Sequence, residues 1–515
     1  MLTACPPGRL AAQLYRPDER VVISDFSNVT AIAASPWLVF AATPNGLVIY
    51  DRGQHRWRTP VTFADGYPLA TVRVALADQV GNAVWLGGDD GLSRYDVDAN
   101  IWDHAGVAGG VRGLMLDTQD AGTGIFVLGA QGWGFLSRGG AFPVPGQPLP
   151  PPNRRIQPLD PRSALALAPV ADASRAMLLT DRRLRSYQFT AAARTPDQGD
   201  LFFGTNGMGV LRYDPATNES EHLLFGLANP RADVVARGSS GVWTVGSARA
   251  GERRALTWVP DDLRETDNNE DALGRGTAVL FARRLLDANG AVWLATDHGV
   301  FRCPEHDGTG QLYELASGLP SEDVRALAPA PDGVWAGTAL GLAVITNDGK
   351  IVRLGTFDRA VLSLVAQRES VWVGTADGLG LLEPGAEAPA VTPELAAVAE
   401  LRQPILALAR TGDTVIAATP VNLAWRNPAT AAWTVLRARA DVGTVTTLAG
   451  DAGGAWIGGT TGLAYWNIAR GTFKVLHVPL DVPAVVRDVT VEGRWLWVAT
   501  DAGLVRFDRD AVLRR

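Results

Sequence analysis

Gly333-Val334-Trp335-Ala336-Gly337-Thr338-Ala339-Leu340-Gly341-Leu342 is the stretch whose reading decides the fold. An apolar run around Trp passes into small residues, then a two-residue turn, then Gly-Leu. The phrase returns as Trp85-Leu86-Gly87-Gly88 before Gly91-Leu92, and as Trp293-Leu294-Ala295-Thr296 before Gly299-Val300. Trp372 to Leu379, Trp456 to Leu463 and Trp497 to Leu504 repeat it. Weaker copies lie at Phe40 to Leu47, Phe126 to Trp133, Phe202 to Val210 and Val415 to Leu423, with eroded ones around Trp243 and Leu178. The clear copies recur about every 40–45 residues, the period of one four-stranded blade per repeat. The chain reads as an all-β β-propeller of about twelve blades, arranged as two tandem propellers.

The residues flanking the phrase fill in one blade. Val324 to Ala328 alternates weakly, as an innermost strand should, and Pro331-Asp332-Gly333 is a tight reversing turn. Val334 to Thr338 is apolar throughout, as expected of a strand buried on both faces. Gly341 to Ile345 supplies the third strand, and the more polar Lys350 to Leu354 the outer one. The small residues after each Trp let neighbouring sheets approach closely. An aromatic-Asp pair often closes the third strand, as in Tyr50-Asp51, Tyr95-Asp96, Tyr213-Asp214 and Phe507-Asp508. Asp96-Val97-Asp98-Ala99-Asn100 imitates a calcium loop, but it lacks the glycine and the downstream acidic ligand, so it reads as a hairpin turn.

Composition narrows the function classes. The chain has 515 residues, 47% of them hydrophobic, and 16 Trp that fall mainly at the repeat position and belong to blade packing. A net charge of −7 without a basic run lacks the footprint of nucleic-acid binding. No stretch reaches the roughly 18 apolar residues of a membrane span. Cys5 and Cys303 form neither a disulfide framework nor a zinc-ligand spacing. Leu2-Thr3-Ala4-Cys5 matches the box that precedes an acylated cysteine in bacterial lipoproteins, although only Met1 stands before it. Cys5 is therefore a candidate lipidation site, where one acyl chain would tether a soluble body.

Two interruptions suggest the domain plan. Pro143 to Pro161 is Pro-rich and reads as an extended excursion; Pro260 to Gly276 is polar, acidic and without an apolar strand. Val21-Val22-Ile23-Ser24 is an orphan strand before the first full repeat. These features give residues 1–20 as an N-terminal tail, 21–259 as a first propeller, 260–275 as an acidic linker and 276–515 as a second propeller, six blades each. After Phe507-Asp508, however, only Asp510-Ala511-Val512-Leu513 remains for an outer strand. The N-terminal strand could close that blade instead, giving interlocked rings or one large ring. A five-plus-seven split is also open, because Arg162 to Asp200 is poorly patterned.

Gly318-Leu319-Pro320-Ser321, then Val324 and Leu327, followed by Val334-Trp335-Ala336-Gly337-Thr338 and Gly341-Leu342, resembles the two-component regulator propeller repeat. The resemblance covers nearly the whole chain and is best between Gly290 and Asp508. In that family such repeats form the extracytoplasmic sensor half of hybrid histidine kinases, several of which respond to polysaccharide fragments. It implies an extracytoplasmic propeller, in the periplasm or on the cell surface, that binds something. Because no kinase or membrane helix follows the repeats before Arg515, the implied propeller would work through a separate partner.

Local catalytic motifs are missing. The six histidines form no His-x-x-x-His or His-Glu-x-x-His pattern, and neither a nucleophile elbow nor a phosphate-cradling loop occurs. No cofactor or metal is expected. Propeller geometry directs attention to the turns between second and third strands and to the connectors between blades. These carry Asp89, Asp90, Asn206, Asp297, His298, Glu322, Asp323, Asp377, Arg487, Asp488 and Asp501 as candidate ligand-binding residues at a pore mouth. Asp297-His298 pairs a carboxylate with an imidazole, able to bind a metal or shuttle a proton. Trp133, Trp425 and Trp466 are candidate glycan-stacking aromatics, with core packing as the alternative. The expected function is non-catalytic binding of an envelope protein or a glycan. The alternatives are a sensory module feeding a separate histidine kinase and a polysaccharide lyase or hydrolase.

Overall fold

The structure, a computed structural model, describes residues 15–515 apart from 69–70, 81, 120–121, 123, 169–176, 198, 250–251, 275–279, 306–307, 355–356 and 437–440. Cys5 lies outside the described residues. The architecture is all-β, built from antiparallel sheets of three to five strands. Two compact units divide the chain. The larger holds Asp18–Ser24, Leu227–Asp262 and Thr266–Arg515; the smaller is built on Asp25–Gly226 and takes in Leu263–Glu265.

In the larger unit each sheet begins with an inner strand. These are Val234–Arg237, Ala282–Ala288, Val324–Ala330, Val361–Gln367, Ala407–Thr411, Val445–Asp451 and Val486–Glu492. Each inner strand packs against the next in chain order, and the last packs against the first, so the sheets close a ring. The closing sheet draws its outer strand from the other end of the sequence. Arg20–Ile23 pairs antiparallel with Gly503–Asp508, setting Arg20 opposite Phe507 and Ile23 opposite Leu504. The chain thus begins the larger unit, builds the smaller one, and returns.

In the smaller unit the sheets start at Ala31–Ala34, Val72–Ala77, Gly113–Asp117 and, from the hairpin strand Leu178–Thr180, at Ser186–Arg194. The first packs against the second and fourth, and the second against the third. Arg155–Ile156 adds a strand to the third sheet, and Leu159 bridges to Ala192 of the fourth.

The repeated phrase explains the packing. Trp243, Trp293, Trp372, Trp456 and Trp497 are buried between sheets, whereas Trp335 is half-buried. The small residue two places on lies under an apolar residue at, or just before, the start of the next inner strand. A methyl group on Gly87 would meet Val111, on Gly337 Val361, and on Gly458 Val486, each within 2.7 Å. The Gly that opens the third strand is required by its backbone instead. Gly341 (φ 120°) and Gly503 (φ 125°) adopt a left-handed conformation that a side chain disfavours.

Several expectations need correction. The break between units falls at Gly226/Leu227 instead of in the acidic stretch after Val259, so the repeat around Trp243 belongs to the second body. That repeat has its own outer strand: Asp267–Asn269, within the supposed linker, pairs with Leu256–Pro260. An outer strand faces solvent and needs no apolar pattern, and Asn269 also receives the N–H groups of Asp271 and Ala272. Val21 to Ile23 completes the last sheet and leaves the first ring alone. Asp510 to Leu513 is accordingly helical, within Arg509–Arg514, and Asp508 caps it by accepting from the Ala511 N–H. The poorly patterned stretch contains a helix, Pro161–Leu167, and the long strand Ser186–Arg194. Among the described residues no helix is long and apolar enough to cross a membrane.

Candidate functional site

Register places one set of turns together. Within the larger unit Val324 stands opposite Thr338 and Val486 opposite Thr500. The start of each inner strand therefore shares an end of the sheet with the turn joining second to third strand. Asp297, His298, Glu322, Asp323, Asp377, Arg487 and Asp501 all lie at this turn end. Asp89, Asp90 and Asn206 occupy the equivalent end of sheets in the smaller unit.

A β-bulge shapes the start of most inner strands. The ladder slips by one residue at Arg73, Arg283, Arg325, Leu362, Thr446 and Arg487. A bulge re-aims the extra side chain, and here four of those six are arginines. Most of these arginines grip a nearby carboxylate. Arg487 holds Asp501 through Nε at 2.8 Å and Nη2 at 2.7 Å, and Arg73 holds Asp89 at 2.7 and 3.1 Å. Arg325 grips Asp323 at 2.9 and 2.6 Å, and Arg359 reaches Asp377 at 3.0 Å. Arg231 joins Asp233 at 3.1 Å and Asp501 at 3.4 Å. The forked pairs Arg487–Asp501 and Arg73–Asp89 fix both partners in orientation. The hydrogen bond from Arg73 holds the Asp89 carboxyl below its usual value, and Asp501 raises that of Arg487.

The remaining candidates behave differently. Asp297 accepts from the Phe281 N–H at 3.0 Å and contacts His298 Nδ1 at 3.0 Å. Asp90 and Glu322 are exposed. Asn206 Oδ1 accepts from the Gln188 N–H at 2.6 Å and so serves the turn. Asp488 is no mouth residue: it is buried on the innermost strand. It accepts from Thr447 Oγ1 at 2.8 Å, Arg284 Nη1 at 3.0 Å, Val235 N–H at 3.2 Å and Val489 N–H at 3.0 Å. One carboxylate thereby ties the closing sheet to three others. Trp466 is fully buried and meets the half-buried Trp425 edge to face at 5.2 Å, so both serve the core; Trp133 is half-buried on Gly132–Ser137.

Sequence reading found the carboxylates and missed most of their guanidinium partners. The signal was present: Arg directly follows the first inner-strand Val in Val72-Arg73, Val324-Arg325 and Val486-Arg487. A Ser–His neighbour pair also escaped it. Ser93 Oγ lies 2.8 Å from His104 Nδ1 across adjacent strands, the His104 ring stacks on Trp102, and burial lowers its pKa. Ser93 is itself buried in the sheet, so the contact secures the strand pair. The calcium-like turn is a hairpin in which Asp96 accepts from the Ala99 N–H.

No protein-family model matches the chain, and no curated protein matches its sequence. Similar solved structures exist. PorZ, a bacterial surface component of the type-IX secretion system of Porphyromonas gingivalis, aligns with a TM-score of 0.53 and 12% identity, covering 95% of this chain and 87% of that one. The extracellular domain of BT4673 from B. thetaiotaomicron aligns at 0.44 with 13% identity over 93% of this chain and 75% of its own. Virginiamycin B lyase from Staphylococcus aureus aligns at 0.43 with 13% identity over 54% and 94%. At these identities the likeness is one of fold. The chain is a β-propeller protein.

Proposed function

We propose that the protein is a non-catalytic, extracytoplasmic binding propeller whose larger unit recognises an envelope protein through its turn end, with a glycan as the alternative ligand. The observation that carries this reading is the set of Arg–carboxylate pairs fixed at the starts of the inner strands. Arg231–Asp233, Arg325–Asp323, Arg359–Asp377 and Arg487–Asp501 present alternating charge on rigid strand ends. Fixed, alternating charges favour a partner of complementary pattern and reject others more than they add raw affinity. PorZ, with a similar fold, is a bacterial surface component, and the same setting is proposed for this chain. The test is affinity capture from native envelope extract, comparing the unaltered protein with the Arg359→Glu/Arg487→Glu variant. A partner present with the first and lost with the second supports the reading. A partner retained equally by both, or none with either, contradicts recognition of an envelope protein at this end.

A further inference from the structure

Of the four bulge arginines, Arg283 alone does not grip a carboxylate within hydrogen-bond distance, its nearest acid standing at 3.8 Å. Arg487 and Asp501, fourteen residues apart, form a forked pair at 2.8 and 2.7 Å. Arg283 and Asp297 occupy the same two positions of the second sheet, bulge residue and first turn residue. There the carboxylate is engaged elsewhere: the Phe281 N–H and His298 Nδ1 both approach Asp297 Oδ1 at 3.0 Å. Arg283 is left with Asp323 Oδ1 at 3.8 Å, while Asp323 gives its other oxygen to Arg325 at 2.6 Å. The Arg283 side chain is 46% exposed, and its guanidinium carbon stands 6.0 Å from the centre of the Phe281 ring, itself half-exposed. Arg284, the next residue, is 40% exposed and turns instead to buried Asp488 of the closing sheet.

We infer that Arg283, over Phe281, is a subsite for an oxyanion carried on an apolar or ring-shaped group, such as an aromatic carboxylate or phosphate. A planar guanidinium offers two parallel N–H groups to either anion. The adjacent ring covers the apolar part and lowers the screening of the pair. His298 is a positioning residue: together with the Phe281 N–H it holds Asp297 through Oδ1, turned away from Arg283. The inference rests on the binding reading above and names the chemistry at one part of that surface.

Titration of the full chain with benzoate and with phenyl phosphate, followed by saturation-transfer NMR, tests it. Saturable binding is expected. Arg283→Gln should weaken it by about tenfold or more, the size of losing a charge-assisted forked contact. His298→Ala, which frees Asp297 to take Arg283, should weaken it in the same direction. Arg368→Gln, on an exposed arginine paired with Asp413, should leave binding unchanged. Binding that survives Arg283→Gln or His298→Ala at full strength, or no saturable binding of either probe, overturns the inference. Unaltered probe binding in a protein that captures no partner would instead sink the broader reading and leave this one standing.

Discussion

Gly337 packs directly beneath Val361: a methyl group placed on the glycine would lie 2.4 Å from Val361 Cγ1. The contact joins the second strand of one sheet to the inner strand of the next; Gly458 with Val486 repeats it, and Gly87 meets Val111 just ahead of the inner strand. Overfilling such a seam forces strands apart. Gly337→Ala should destabilise the larger unit by about 1–3 kcal/mol, the usual cost of inserting a methyl group into a packed core. Denaturant unfolding monitored by Trp fluorescence checks this; an unchanged midpoint would mean that the sheets are not packed this closely.

Ring closure depends on a strand of four residues. Ile23 is fully buried opposite Leu504. Ile23→Ala should cost about 2–4 kcal/mol, as for large-to-small changes in cores. Its effect should be local to the larger unit. Hydrogen exchange is expected to speed up in Gly503–Asp508 and to stay unchanged in Leu38–Thr43 and Gly46–Asp51 of the smaller unit. Equal loss in both would contradict the nested order of the two units.

Asp488 makes the strongest single demand on the larger unit. Asp488→Ala strands the hydroxyl of Thr447, the N–H of Val235 and one guanidinium N–H of Arg284. The expected loss is about 2–4 kcal/mol, since unsatisfied buried donors cost more than the bonds they replace. Asp488→Asn keeps one acceptor and should lose about half as much. Thermal unfolding of the two variants side by side distinguishes this from a general surface effect, which would leave both near the parent.

Acid should loosen the end of the chain. Burial works against ionisation of Asp508, but the Ala511 N–H and the Arg494 guanidinium outweigh it and hold the carboxyl below its ordinary value of 3.8. A folded value below the unfolded one means stability that is present above pH 3.8 and lost as pH falls through the folded value. Stability of the larger unit should therefore decline below about pH 4, and Asp508→Asn should make that decline shallower. Urea unfolding at several pH values measures the slope; identical slopes would remove Asp508 from the account.

Cys303 offers an internal reporter. Burial pushes its thiol up to about 12, and its Sγ faces the Ala272 carbonyl at 3.5 Å. Thiolate is the reactive form, so iodoacetamide at pH 8 should leave Cys303 unmodified in the folded protein and alkylate it once the larger unit opens. Mass spectrometry of the peptide containing Cys303 gives the answer; rapid alkylation of the native protein would contradict its burial.

The repeated phrase made the architecture legible because Trp burial, the small residue on the seam and the left-handed glycine each impose a residue type. Blade grouping was less legible, since strand pairing between Val22 and Val505 depends on no local pattern. Asp267–Asn269 escaped notice because a solvent-facing strand can be wholly polar. Turn chemistry placed Asp297, Asp377 and Asp501 at the turn end but could not tell such a carboxylate from Asp488, whose neighbour Arg487 is exposed. A one-residue bulge separates them. That Arg283 does not close on Asp297 was beyond sequence reading, because it depends on the donors, the Phe281 N–H and His298, that reach Asp297 in space.

Recognition through the turn end is tested most directly by a hydrogen-exchange footprint of the protein with and without the fraction it captures from envelope extract. Slower exchange is expected in the turns at residues 297–299, 322–325, 339–341, 376–378 and 501–503, with the outer strands Ile351–Arg353 and Thr472–His477 unaffected. Protection confined to the outer strands, or spread evenly over the surface, would contradict recognition through the turn end.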